Sequence, residues 1–162
     1  NILKVKNVDG FSLIVNKKKN EEILKINSET NNDYFDKNFF MYLENIDLCK
    51  RIIENGGNIF VATKAKIKHL AGKAVDEKFE NEIELSRNWH WIWSKFYYNK
   101  KHFGFIKAFI NGFATYCSSL IKYLFYLLIN NKFKKKIYFN RASGFFNAMI
   151  GKKSWYRPNL EN

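Results

Sequence analysis

The sequence is poor in the residues that punctuate or staple a chain. It has one proline, Pro158, and two cysteines, Cys49 and Cys117. Two cysteines exclude a disulfide scaffold and a four-cysteine zinc site. Both sit in apolar patterns, which predicts reduced, buried thiols and a cytosolic setting. Acid is missing from a whole half of the chain: residues 85–162 hold 14 Lys and Arg against Glu161 alone, whereas residues 1–84 hold 14 basic and 14 acidic side chains. The net charge of +13 therefore belongs to the second half, unlike the even spread of a ribosomal-type basic protein. No charged, apolar and small-residue sequence of a signal peptide opens the chain. Its start at Asn1, with Ile2, Leu3 and Val5 already apolar, predicts a piece whose N-terminal part lies upstream. Disorder is excluded by what is present, since 46% of residues are hydrophobic and 18% aromatic.

The first section, 1–76, reads as mixed α/β. Val8 to Val15 is a short apolar run ending at Asn16-Lys17-Lys18-Lys19, which predicts a strand, with Gly10 marking a bulge or a close backbone approach. Residues 27–38 form a polar loop. Leu43, Ile46, Cys49, Ile52 and Ile53 recur at three- and four-residue steps and predict a helix over 44–55, closed by Gly56-Gly57 in a left-handed cap. Ile59–Ala62 and Lys66–His69 read as two further strands. In the second section, 77–162, a helix is predicted over 78–101 with Phe79, Ile83, Trp89, Ile92, Trp93 and Phe96 on one stripe. A mostly apolar stretch over 103–130 and an amphipathic stretch over 137–150 follow.

The segment with chemistry in it is Phe39-Phe40-Met41-Tyr42-Leu43-Glu44-Asn45-Ile46-Asp47-Leu48-Cys49-Lys50-Arg51. Aromatic residues deliver Glu44 and Asn45 to a helix start, with Asn45 as the predicted N-cap. Glu44 and Asp47 complement the positive helix terminus. Two carboxylates at one helix start can be pushed apart in pKa and divide the roles of base and ligand contact; simple charge complementarity at the terminus is the plainer reading of the same pair.

This wording resembles the acidic motif of family 2 glycosyltransferases, rhamnosyltransferase-like members included, in which aromatic residues precede Glu-Asp-x-Asp-Leu-Cys-x-Arg. The segments Val8 to Val15, Phe35-Asp36-Lys37-Asn38-Phe39-Phe40, Lys64 to Gly72 and Arg87 to Tyr98 resemble the family's other blocks in order. The resemblance implies an α/β fold, the C-terminal half of a GT-A-like nucleotide-diphospho-sugar transferase domain over 1–76, followed by a helical basic tail over 77–162. It implies inverting transfer from a nucleotide-sugar donor to a lipid-linked or polysaccharide acceptor, with Mg²⁺ or Mn²⁺ neutralising the diphosphate. Asp47 and Glu44 become the catalytic carboxylates. Asn45, Asp36, Gly10 and Arg51 position acceptor or substrate, and His69 meets metal or phosphate. Two departures stand out. The family's usual base position holds Asn45, an amide that accepts no proton, and no Asp-x-Asp metal motif occurs. The resemblance thus places the donor half upstream and leaves this piece inactive alone.

The second half interleaves Arg87, Trp89, His90, Trp91, Trp93, Lys95, Tyr97, Tyr98, Lys100, Lys101 and His102. Such a pattern suits stacked bases and phosphates, or a bilayer surface, or one core stripe backed by a solvated basic face. The apolar stretch 108–130 decides for an anionic membrane surface over nucleic acid. Lys122, Asn111, Ser118 and Ser119 interrupt it, which predicts an interfacial helix with snorkelling lysines on the cytoplasmic face of the membrane, in preference to a full span. The competing reading is a non-enzymatic basic module binding membrane or nucleic acid.

Overall fold

The structure, a computed structural model, describes residues 1–26, 33–68 and 76–160. His69, named above as a metal or phosphate contact, lies outside them. The chain divides into two compact units, one of residues 1–39 and 43–72, the other of residues 40–42 and 73–162.

The first unit holds β1 (Ile2–Val5), α1 (Lys17–Leu24), α2 (Glu44–Glu54) and β2 (Ile59–Ala62). β1 and β2 pair antiparallel, Ile2 opposite Ala62 and Val5 opposite Ile59. Its core is small: Leu24, Leu48, Cys49, Ile52 and Ile59, with Val5, Val8, Leu13, Ile23 and Ile26 packed around them. α2 follows its predicted bounds and stops where Gly56 turns into the left-handed region at φ 82°. The Gly56 and Gly57 amides then donate to the Ile53 and Ile52 carbonyls at 3.0 and 2.8 Å.

The expected α/β, GT-A-like fold is not what forms. The described residues are mostly helical, with five α-helices and one two-stranded antiparallel sheet of four-residue strands. A GT-A core needs a parallel sheet built through helical crossovers, and nothing here supplies one. The predicted strand over Val8–Val15 is irregular and turns at Gly10. Its Val8 carbonyl is taken by the Asn45 side chain at 2.6 Å, so the bond a sheet partner would make is spent on an amide. Asn16 does not end a strand. It starts α1, accepting from the Lys19 amide at 3.2 Å. The described residues 66–68 of the other predicted strand are exposed and irregular.

The second unit is built from a 3₁₀ turn (Glu77–Phe79) and three long helices, α3 (Glu80–Phe103), α4 (Phe105–Leu128) and α5 (Lys132–Met149). One residue, Gly104 at φ 85°, joins α3 to α4. Asn131 caps α5 by accepting from the Lys134 amide at 3.0 Å. All three helices pack on one another around Trp89, Ile92, Trp93, Phe96, Ala108, Phe145 and Ala148, which includes most of the stripe predicted for α3. α3 and α5 approach closely at Gly144, where a Cβ would stand 2.5 Å from the Trp89 carbonyl oxygen. No helix among the described residues is long and apolar enough to cross a membrane.

Candidate functional site

In the first unit the acidic motif folds onto α2, whose N-cap lies two residues before the expected Asn45. Leu43, in the left-handed region at φ 67°, occupies the N-cap position without a side-chain cap, and Glu44 is the first helical residue. Asn45 therefore lies inside the first turn and ties that turn to the Val8 carbonyl. Gly10 sits beside it, since a Cβ there would meet the Asn45 Cβ at 3.4 Å. Glu44, Asn45 and Gly10 thus fall in one neighbourhood.

Asp47 and Arg51 are committed elsewhere. Asp47 is fully buried, and its Oδ2 accepts from Arg51 Nε at 2.8 Å, one helical turn away. The rest of the guanidinium donates to the Asp33 carbonyl at 3.1 Å and to the Tyr34 carbonyl. This arrangement ties residues 33–34 to α2 and pairs the Asp47 carboxylate with a guanidinium. Asp36 closes a local turn, accepting from the Asn38 backbone and side-chain amides at 2.9 and 2.8 Å. Glu44 differs from both: its Oε2 is buried and has no hydrogen-bond partner. Cys49 lies in the core below, where burial pushes its thiol pKa up.

No group of three His, Cys, Asp or Glu side chains among the described residues could hold a metal ion. A Mg²⁺ or Mn²⁺ ion needs several oxygen ligands, and at the start of α2 the Asp47 carboxylate is already paired with Arg51. The described residues do not supply such a set for the ion that the resemblance implies.

The second unit has two features. The first is a buried polar stripe on α3, Ser86, His90 and Ser94, spaced by one turn. His90 Nε2 lies 2.8 Å from the Tyr156 carbonyl and Nδ1 lies 3.0 Å from Ser154 Oγ. The carbonyl can only accept, so Nε2 carries the proton and the Ser154 hydroxyl donates to Nδ1. Burial lowers the His90 pKa below its ordinary value; the Tyr156 carbonyl works against that shift and Arg157 adds to it. The imidazole is fully buried and Ser154 nearly so. A serine–histidine pair enclosed in this way acts as a clasp for the C-terminal segment, not as a nucleophile. Ser94 Oγ donates to the Met41 carbonyl at 2.7 Å, and Phe40 lies against the His90 ring at 4.8 Å. The composition of 77–102 had pointed to its basic and aromatic groups and passed over this stripe. The signal was present in serines four residues either side of a histidine.

The second feature is the outward face of α4. Ile106, Ile110, Phe113, Leu120, Ile121, Leu124 and Leu128 are exposed on one side of the helix, Leu128 to 84%. Ala108 and Ser119 face inward, and a Cβ on Gly112 would collide with the Phe145 ring. Lys107 and Lys122 border the apolar side, and no acidic residue occurs between 85 and 160.

Comparison with known proteins adds no relative: no family model, no curated protein and no solved structure matches the chain.

Proposed function

We propose that the helical unit docks this protein on an anionic membrane surface, with α4 lying in the plane of the interface. The observation that carries this reading is the exposed apolar face of α4 within an acid-free, lysine-rich segment. Apolar area left in water costs about 25 cal/mol per Å², and insertion among lipid headgroups removes that cost. Each lysine near an anionic leaflet adds roughly 1 kcal/mol. A nucleic acid would use the lysines and leave the apolar face in water. Vesicle sedimentation tests the proposal. Anionic vesicles should bind the protein, binding should weaken but persist at high salt, and Ile110→Asp with Leu124→Asp should lower affinity at least about tenfold. Both positions are exposed, so the fold should survive. Vesicles that sediment none of the wild type, together with single-stranded RNA that binds it with a steep salt slope, overturn the reading.

A second reading is sugar transfer from a nucleotide-diphosphate donor to a lipid-linked or polysaccharide acceptor at that surface. It keeps the residues of the resemblance and not its fold, and its support is the unpartnered Glu44 oxygen at the start of α2. Glu44 takes the acceptor hydroxyl's proton as that oxygen attacks the anomeric carbon and the nucleoside diphosphate leaves. Asn45 and Gly10 shape the wall beside it, and Asp47 with Arg51 holds the helix in place. In a longer protein that joins this chain to a donor half, Glu44→Gln should cut transfer to membrane-extracted acceptor about 10²–10⁴-fold at unchanged melting temperature. Unchanged transfer removes Glu44 from the chemistry.

A further inference from the structure

Tyr138 of α5 is the meeting point of two unpaired cations. Lys122 Nζ of α4 lies 5.3 Å from the centroid of its ring, and the guanidinium carbon of Arg141 lies 5.9 Å from it. Tyr126, one turn beyond Lys122, stacks on Tyr138 at 5.4 Å with the ring planes 3° apart. An aromatic face attracts a cation, but two cations against one ring repel each other. A carboxylate would normally settle such a pair. None exists between residues 85 and 160, and neither side chain has a hydrogen bond or ion pair among the described residues. Arg141 goes further, because its Nε is buried without any acceptor, and an orphaned donor of a charged group is costly.

The missing component is an anion. Lys122 is exposed, between Ile121 of the apolar face and the exposed Phe125. Helical spacing of 3.6 residues per turn puts it on the flank of α4 between that face and the side that meets α5, so an anion held at Tyr138 would sit beside the face that enters the lipid. We infer that Lys122 and Arg141 bind the phosphate of an anionic lipid headgroup, with the Tyr138 and Tyr126 rings as the floor of the site. The inference rests on the membrane-docking reading and gives it a specific contact. Lys122 supplies a point charge, and the planar guanidinium of Arg141 supplies a forked donor that matches phosphate oxygens.

The test uses the whole protein and phosphatidylcholine vesicles with and without phosphatidic acid. Lys122→Gln with Arg141→Gln removes two charges, as does Lys152→Gln with Lys153→Gln, two exposed lysines away from Tyr138. A phosphate site predicts that the first pair weakens binding roughly tenfold further than the second. Arg141→Lys, which keeps the charge, should also weaken binding, because an ammonium loses the fork. Far-UV circular dichroism checks that the helices remain. If Arg141→Gln unfolds, the exposed Lys122→Gln compared with Lys152→Gln alone carries the test, with a weaker Lys122→Gln required. Equal weakening by both pairs and wild-type binding by Arg141→Lys would mean diffuse attraction; the site is then wrong while docking stands. Wild type that ignores both vesicles overturns docking, and this inference with it. Inorganic phosphate that binds the protein as tightly as the vesicles do makes free phosphate the ligand and removes the headgroup.

Discussion

The two units follow opposite strategies. The first mixes acidic with basic side chains, closes a small aliphatic core over one face of α2, and uses polar groups as ties: Asn45 to Val8, Arg51 to Asp47 and to residues 33–34. The second concentrates its aromatic residues between helices, where Trp89 stacks near Trp93 and Tyr156 at 6.3 and 5.9 Å, and leaves a whole helical face in solvent. The difference teaches that charge and apolar content are not stability in themselves. What matters is where a side chain is held. The first unit's charges are part of its fold, whereas the second unit's lysines and exposed aliphatics contribute little to folding and are free to meet something else.

Substitutions that attack each strategy test this contrast. The largest effect should come from Trp89→Ala, which empties the fully buried centre of the aromatic core. It should cost about 3–5 kcal/mol, visible as loss of the helical circular-dichroism transition at much lower temperature. A cost under about 1 kcal/mol would show that the helices do not depend on that core. Next is Arg51→Ala, which strands the buried Asp47 carboxylate without its guanidinium and should cost about 3 kcal/mol. Adding Asp47→Asn should recover part of the loss, because the uncompensated charge is then gone. A double mutant no better than Arg51→Ala would mean that the pair is not what holds α2 to residues 33–34.

The smallest effect concerns pH. Unfolded His90 takes up its proton near about 6.5, while the buried imidazole resists protonation to lower pH. Between those values the unfolded chain binds more protons, so stability falls as pH drops below about 6.5 and stops falling once the folded imidazole also protonates. Thermal melts at pH 7.5 and pH 5 should differ in that direction. His90→Gln, although less stable at pH 7.5, should show a smaller pH difference; an unchanged difference assigns the effect to other groups.

Regular apolar spacing made α2, α3 and α4 legible in the sequence, whereas α1 went unread. α2 with its glycine stop, the α3 stripe and the long apolar α4 all follow from three- and four-residue steps that no competing pattern contradicts. β2 was readable because Ile59–Ala62 is short, apolar and preceded by glycines. Val8–Val15 misled because apolar content says nothing about whether a partner strand exists. Asn16 misled because one asparagine before three lysines serves a strand end and a helix cap equally well in sequence. The acidic motif was readable as a helix start and unreadable as a site. Asp47 and Arg51 are four residues apart on one helix, the spacing of an ion pair, and the resemblance drew attention to chemistry and away from that pairing. The α/β expectation failed for a related reason: short segments can match a family's blocks in order without pairing into the sheet those blocks make elsewhere.

The pairing of β1 with β2 bears on the order in which the molecule folds. Residues 2–5 find residues 59–62 only after a loop of about fifty residues has closed, and the entropy of that closure precedes any return from eight paired residues. The α3–α4 connection is a single glycine, so those helices meet through local contacts that form on fast timescales. As a ribosome releases the chain, β1 emerges long before β2, the strand it pairs with. The strand that comes first in the sequence must be among the last elements to settle, and until then its exposed Ile2 and Leu3 are an open edge that a chaperone, or another copy of the nascent chain, can reach.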